Sequence, residues 1–300
     1  MDASRPDLYD PASLAALGRL EVIARWVVDG FLTGLHRSPR KGFSVEFAEH
    51  RAYQPGDELR YLDWKILARA DRWMIKQFEE ETNLRAMLLL DASPSMAWTG
   101  APGRLTKLAW AEASVAALSL LLLKQRDAVG FLRFDDQVRT VLPPRARQAQ
   151  WRRVLGELGA PGTGTESALA EAVERAAALV SRPGLFVILS DLLVEPEAVT
   201  RAVRTLRAVG HDVVVLHVMD PAERDLAEPG DARFTDPESG DALAARGSDV
   251  RDAYRETVEA VIGEWRERFA GAGAFYEVVM TDAPFGTALR RAFAVRQSLP

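Results

Sequence analysis

The run Ala86 to Met96, AMLLLDASPSM, places three oxygen-bearing residues at alternate positions, Asp91, Ser93 and Ser95, directly after an unbroken apolar stretch. A tight loop carrying oxygen groups at i, i+2 and i+4 can converge them on one small cation. Mg²⁺ suits such donors, because it prefers oxygen at near-octahedral geometry, keeps several waters and takes only one or two carboxylates from the protein. One carboxylate beside two hydroxyls under-neutralises the ion and leaves it open to an acidic ligand. Asp and Ser also populate turns and helix N-caps by bonding nearby amides, so the triplet alone admits a structural reading as well. Two later loops offer further oxygens: GTGTES, Gly162 to Ser167, and Ser190-Asp191, which closes the apolar run LFVIL, Leu185 to Leu189.

The elements that must position these loops are legible in the hydropathy pattern. An apolar run ending in Asp91 reads as a central parallel strand, and ligand sites in open α/β sheets form beyond the carboxyl ends of such strands. From residue 86 strands and helices alternate: strands at 86–90, 128–134, 185–189, 212–218 and 274–280, an edge strand at 137–142, and helices near 104–124, 146–158, 166–181, 195–209, 249–270 and 285–295. That order calls for a mostly parallel sheet with helices on both faces, a Rossmann-like sandwich. The stretch Pro221 to Ser248, rich in Asp, Glu, Pro and Gly, interrupts it as an inserted loop or small flap. The helix Leu105 to Lys124 is apolar on nearly all sides but carries Glu112, which favours burial against the sheet over membrane insertion.

Upstream, Leu14, Leu17, Leu20, Ile23, Val27, Val28 and Phe31 recur at three- and four-residue steps, an amphipathic helix over Pro11 to Thr33 with Ser13 as an N-cap. Between Gly34 and Leu84 the aromatics Phe43, Phe47, Tyr53, Tyr61, Trp64, Trp73 and Phe78 are set among turn residues and predict short strands. The expected division is an N-terminal appendage, 1–84, and an α/β domain, 85–300, with the insertion at about 221–248.

Composition narrows the function classes. Three hundred residues, 48% of them hydrophobic, suffice for one large domain plus a smaller appendage. The formal net charge of −5 argues against a nucleic-acid binder, and the basic run His36 to Lys41 reads as a solvated loop. With no cysteine, disulfides, thiolate metal sites and thiol redox chemistry are excluded. His36, His50, His211 and His217 lack zinc-ligand spacing and read as structural. No segment approaches the length of a membrane span and MDASRPD lacks a signal pattern, so a cytoplasmic protein without membrane insertion is expected.

With DASPSM, GTGT and LSD in view, residues 86–300 resemble the von Willebrand factor A fold and its metal-ion-dependent adhesion site. That resemblance implies a metal held by Asp91, Ser93 and Ser95 and by a second-loop threonine that is either Thr165 or Thr163, with Asp191 of the third loop bound directly or through water. Further upstream, Arg51, Tyr53, Pro55, Gly56, Asp57, Arg60, Asp63 and Trp64, followed by Ala68-Arg69, form R-x-Y-x-P-G-D-x-x-R-x-x-D-W, which resembles bacterial domain-of-unknown-function family 58. The match continues through LSDLL, HDVVVLHVMDPAE and TDAPF. Members often accompany MoxR-type AAA+ ATPases and are thought to help assemble or activate other protein complexes, so the resemblance implies such an ATPase, or its client, as partner. Physically the upstream motif is a Pro-Gly-Asp turn whose Arg51, Arg60 and Arg69 can pair with Asp57, Asp63 or Glu79 to Glu81, a salt-bridged appendage in preference to a docking surface.

Two functions follow. The leading one is a non-enzymatic interaction module in which Mg²⁺ or Mn²⁺ is completed by a partner's acidic side chain. Its rival is an Mg²⁺-dependent phosphoester hydrolase with Asp91 as nucleophile. Against the rival stand Ser93 where aspartyl-nucleophile phosphatases resemble Asp-x-Asp, the absence of histidine from the candidate loops, and the absence of a phosphate-cradling Gly-x-x-x-x-Gly-Lys-Ser/Thr loop.

Overall fold

The computed structural model describes residues 20–35, 47–53, 62–78, 84–160, 162–226, 231–235 and 242–285. By contact density they fall into two units, one of residues up to 36 together with those from 84 onward, the other within 37–83.

The elements in chain order are α1 (Leu20–Leu35), β1 (Phe47–Ala52), α2 (Trp64–Ala70), β2 (Met74–Phe78), β3 (Arg85–Asp91), α3 (Lys107–Lys124), β4 (Ala128–Phe134), β5 (Val138–Arg145), α4 (Gln148–Glu157), α5 (Leu169–Ala177) and β6 (Leu185–Ser190). There follow α6 (Pro196–Ala208), β7 (Asp212–Met219), the short α7 (Pro221–Arg224), β8 (Asp231–Thr235), β9 (Ala242–Arg246), α8 (Gly247–Gly271) and β10 (Phe275–Met280).

The larger unit is built on a six-stranded sheet ordered β10-β7-β6-β3-β4-β5. Its strands run parallel except β5, which pairs antiparallel with β4 at one edge. The alternation of side chains explains why β3, β6 and β7 are apolar along most of their length, with His217 the polar exception inside β7. Ala86, Leu88 and Leu90, with Leu185, Val187, Leu189, Val214, Leu216 and Val218, enter one core beneath α1, α3 and α4. Met87, Leu89, Phe186, Ile188, Val213 and Val215 enter the other, beneath α5, α6 and α8. Strands covered on both faces lose the polar alternation that a half-solvated strand would show.

Helix α3 is buried along nearly its whole length. One side lies on the sheet, and Ile23, Ala24, Val27 and Val28 of α1 share its core on another. Each buried Ile or Val there contributes on the order of 1.5–3 kcal/mol. Asp29 pairs with Lys124 at 2.9 Å and the Arg25 guanidinium lies over the Trp151 ring at 5.1 Å, tying α1 to α3 and α4. The described part of the N-terminal helix therefore belongs with the α/β unit, whereas the sequence grouped it with the appendage ending at 84. Its apolar stripe is the partner of a helix almost a hundred residues later, a pairing that periodicity alone does not reveal. Glu112, the acidic break in α3, accepts the amide of Gly159 at 2.7 Å and so fastens the exit of α4.

The smaller unit pairs β1 with β2 antiparallel around α2. Asp63 caps α2 by accepting the Ile66 amide at 3.2 Å. Tyr53 and Trp73 rings lie 5.7 Å apart, and Trp64 and Trp73 are 61% and 51% exposed. Pro55 to Arg60, Glu79 to Glu81 and the Arg51 side chain lie outside the described residues, and with them every expected arginine pairing except that of Arg69 with Asp63. The same holds for Pro11 to Arg19 and for the helix expected at 285–295 beyond its first residue.

The stretch expected as a loop insertion holds elements of its own: α7, closed by a capping box of Asp220 and Glu223, and the antiparallel pair β8 and β9.

Candidate functional site

The apolar run of β3 ends with Asp91 fully buried at the carboxyl edge of the sheet. The chain turns at once, and the Ser93 amide donates back to Asp91 Oδ1 at 2.9 Å. A single 3-10 turn, Pro94–Ala97, then returns Ser95 to the same spot, its Oγ 3.2 Å from Ser93 Oγ. Both hydroxyls are buried. The alternate spacing thus converges Asp91, Ser93 and Ser95, with the turn hydrogen bond as the means of doing so.

Neighbouring strand ends add to this cluster. Strand β6 pairs with β3 in register, Leu90 beside Leu189, so that Ser190 falls next to Asp91 and donates to its Oδ2 at 2.7 Å. Ser190 Oγ in turn accepts the Leu192 amide at 3.0 Å, holding Leu192 in the left-handed region at φ 56°. Such a conformation is uncommon for a bulky residue and is kept only where surroundings impose it. The loop before α5 sends Ser167, whose Oγ donates to Asp91 Oδ2 at 2.7 Å.

That loop is fixed from beneath by Asp135, at the end of β4. Its Oδ2 accepts the amides of Thr163 at 3.2 Å and Gly164 at 3.0 Å, and its Oδ1 accepts Arg139 Nε at 2.6 Å. Burial acts to raise the Asp135 pKa, but the hydrogen bonds from Arg139, Asp136 and the Thr163 and Gln137 amides bring it down to about 2. The glycines of GTGT serve close approach: a Cβ on Gly162 would stand 1.9 Å from the Ala92 carbonyl oxygen, and one on Gly164 2.7 Å from Asp135 Cγ. Thr163 and Thr165 are exposed. The second-loop hydroxyl placed on Asp91 is that of Ser167.

Asp191 follows β6 and is buried. Its Oδ2 accepts Lys107 Nζ at 2.8 Å, while among the described residues its Oδ1 has no hydrogen-bond partner. Lys107, in the first turn of α3, also bonds Glu223 Oε1. Burial pulls the Lys107 ammonium down, but Asp191 and Glu223 outweigh it and leave its pKa above the ordinary lysine value. Burial first, then the charge of Asp191, push Asp91 up to about 6 against the opposing bonds from Ser190, Ser93 and Ser167. His217 is buried nearby with Nδ1 2.7 Å from the Tyr276 hydroxyl, and burial lowers its pKa to about 4, so it stays neutral. His211 accepts the Gly184 amide at 3.2 Å.

This arrangement offers two carboxylates and several hydroxyls in a buried pocket of oxygen. Among the described residues no group of three or more His, Cys, Asp or Glu is gathered as a metal cage. An ion there would rest on hydroxyls, water and one or two carboxylates, which is the donor set of a small hard cation. Ser93, Ser95 and Asp191 Oδ1 have oxygen capacity left for it.

Sequence reasoning missed Ser167 and Ser190 as partners of Asp91, although both stand in loops it had singled out. It also missed Asp135, Glu223 and the buried Lys107. The partners that draw them into this cluster lie 28 to 116 positions away in the chain, and a lone lysine opening a helix carries no local sign of an inward course.

Comparison with known proteins places this geometry in a family. Residues 49–262 match the family described as protein of unknown function DUF58. Uncharacterised proteins of Mycobacterium bovis and Mycobacterium tuberculosis are 32% identical over 241 residues, covering 79% of this chain and 74% of theirs. Among solved structures, the conserved hypothetical protein BatB from Bacteroides thetaiotaomicron is similar at 17% identity and TM-score 0.48, over 71% of this chain and 98% of that one. The SpRpn10 VWA domain is similar at 9% identity and TM-score 0.43, over 69% and 95% respectively. From the extent of the family match and the mycobacterial relatives, this chain belongs to the DUF58 family.

Proposed function

We propose that this chain is a non-catalytic protein-interaction module whose contact is bridged by Mg²⁺ or Mn²⁺ at the carboxyl edge of the sheet. Asp91, Ser93 and Ser95 would hold the ion, with a hydroxyl from Thr165 or Thr163 and with Asp191. The observation that carries the reading is the Asp191 Oδ1 atom, buried and without a hydrogen-bond partner among the described residues, with a second buried carboxylate and paired serine hydroxyls in the same cluster. A buried carboxylate oxygen left unpaired is costly, and a cation relieves that cost. When bound, the ion supplies open coordination positions that an incoming Asp or Glu oxygen can fill.

The chain's own residues do the rest. Ser190 and Ser167 hold the Asp91 carboxylate in one orientation, and Asp135 holds the second loop beside it. His217 donates no charge at neutral pH, and its ring nitrogen is engaged by Tyr276, which supports a binding role over acid-base turnover. We take the partner to be a MoxR-type AAA+ ATPase or its client, acting in the cytoplasm in assembly or activation of other complexes. Among the described residues no helix is long and apolar enough to cross a membrane.

The test is a pull-down of a MoxR-type ATPase with wild type and with Ser93→Ala/Ser95→Ala, each with Mg²⁺ and with EDTA. Recovery should fall on chelation and in the double variant. Equal recovery in all four arms would overturn the proposal, and metal-dependent release of phosphate from phosphoesters that disappears in Asp91→Ala would replace it with an enzyme.

A further inference from the structure

Lys107 is placed against two physical preferences at once. Its side chain is 1% exposed, although an ammonium strongly favours water. It stands in the first turn of α3, directly after the Thr106 N-cap, where the helix dipole disfavours a cation. Its partners arrive from distant parts of the chain, Asp191 from 84 positions away and Glu223 from 116.

The partners are unequal. Glu223 is itself anchored: its Oε2 accepts the Asp220 amide at 2.9 Å within the α7 capping box, and its carbonyl accepts the Tyr254 hydroxyl at 2.7 Å. Asp220 is in turn bound by Arg104 at 2.6 Å and by the Thr281 hydroxyl at 3.2 Å. The ammonium is therefore fixed on its Glu223 side by a chain of contacts leading out to α8 and the end of β10. On the other side it takes one oxygen of Asp191 and leaves Oδ1 without a partner among the described residues.

We propose that Lys107 is the internal counter-cation of this site, a positioning residue that pins Asp191 by Oδ2, keeps Oδ1 available, and by its own charge holds down the affinity for a dication until an acidic partner adds its carboxylate. This rests on the cation reading given above. A lysine whose role ended at holding the fold together would leave cation affinity unchanged when replaced, whereas a charge competing with the ion for Asp191 must raise that affinity when removed.

The sign of two variants separates these cases. In Lys107→Met the competing charge is gone, so the full chain should bind Mg²⁺ about tenfold or more tighter by calorimetric titration, and Mg²⁺ should raise its unfolding temperature more than that of wild type. In Glu223→Gln the lysine loses its far counter-charge, and Mg²⁺ affinity should fall. Affinities equal to wild type in both variants, or weaker binding in Lys107→Met, would overturn the proposal. Should Lys107→Met fail to fold without metal, recovery of the fold on adding Mg²⁺ supports the proposal, and an unchanged affinity in Glu223→Gln overturns it. Asp91→Ala marks the parent reading separately: a wild-type response abolished there, with Lys107→Met like wild type, removes only the role of Lys107. No Mg²⁺ response in wild type or Lys107→Met removes the cation reading and this inference with it.

Discussion

Ser167 Oγ donates to Asp91 Oδ2 at 2.7 Å across 76 residues of chain. Asp91 is fully buried, so each donor lost from its carboxylate leaves an acceptor oxygen without that bond. Ser167→Ala should cost about 2 kcal/mol of stability in EDTA, measured by urea unfolding. Thr163→Ala and Thr165→Ala, on the exposed part of the loop, should each stay within about 0.5 kcal/mol of wild type. The same three variants titrated with Mg²⁺ identify the second-loop ligand as the one whose loss removes the response while stability is kept.

Gly162 is a second point of leverage. Its missing side chain lets the loop lie against the Ala92 carbonyl, and the clash there is with backbone, which cannot swing aside. Gly162→Ala should cost about 1–3 kcal/mol and expose residues 162–168 to faster amide exchange. Exchange at wild-type rates would show that the loop has another resting place.

Asp135→Asn tests the support beneath that loop. The carboxylate accepts two loop amides and Arg139, and a neutral amide replaces only part of this. Arg139 is about a third exposed, so screening limits the ion pair. A loss of about 1 kcal/mol is expected, confined by exchange measurements to the loop and the turn after β4.

The pH dependence follows from Asp91 and His217, which act in opposite senses. Asp91 is raised from 3.8 to about 6, so the folded chain binds more protons than the unfolded one between those values, and stability from this group grows as pH falls. His217 is lowered from 6.5 to about 4, so there the unfolded chain binds more protons and stability is lost as pH falls. In metal-free wild type the two nearly offset each other between pH 6 and 4. Asp91→Asn removes one side: relative to wild type it should lose about 2 kcal/mol on going from pH 6.5 to 4. Parallel stability curves for the two proteins would show that Asp91 is not held near 6.

The sheet was legible in the sequence because its signal is local. Strand β4 occupies the predicted 128–134, and the apolar runs ending in Asp91 and Ser190 lie side by side, as a parallel core demands. The edge position of the strand at 137–142 was legible too, since its pattern is mixed, though β5 runs on to Arg145 through two prolines that an interior strand would not tolerate. What escaped was pairing at a distance. The stripe of α1 was visible, but not that α3 completes it. Lys107 was visible, but its inward course depends on Asp191 and Glu223. Serines 167 and 190 were in view within their loops, yet only the register of β3 with β6 and the grip of Asp135 decide that they meet Asp91.

The distances in sequence carry a consequence for how the protein comes into being. Ser190 reaches Asp91 across 99 positions, and both belong to strands at the centre of the sheet. Loop closures of that length form late and slowly, so a nascent or partly unfolded chain has the residues of the site without having the site. Only the folded sheet brings these oxygens together, so the cluster is a property of the finished fold and of no shorter segment of it.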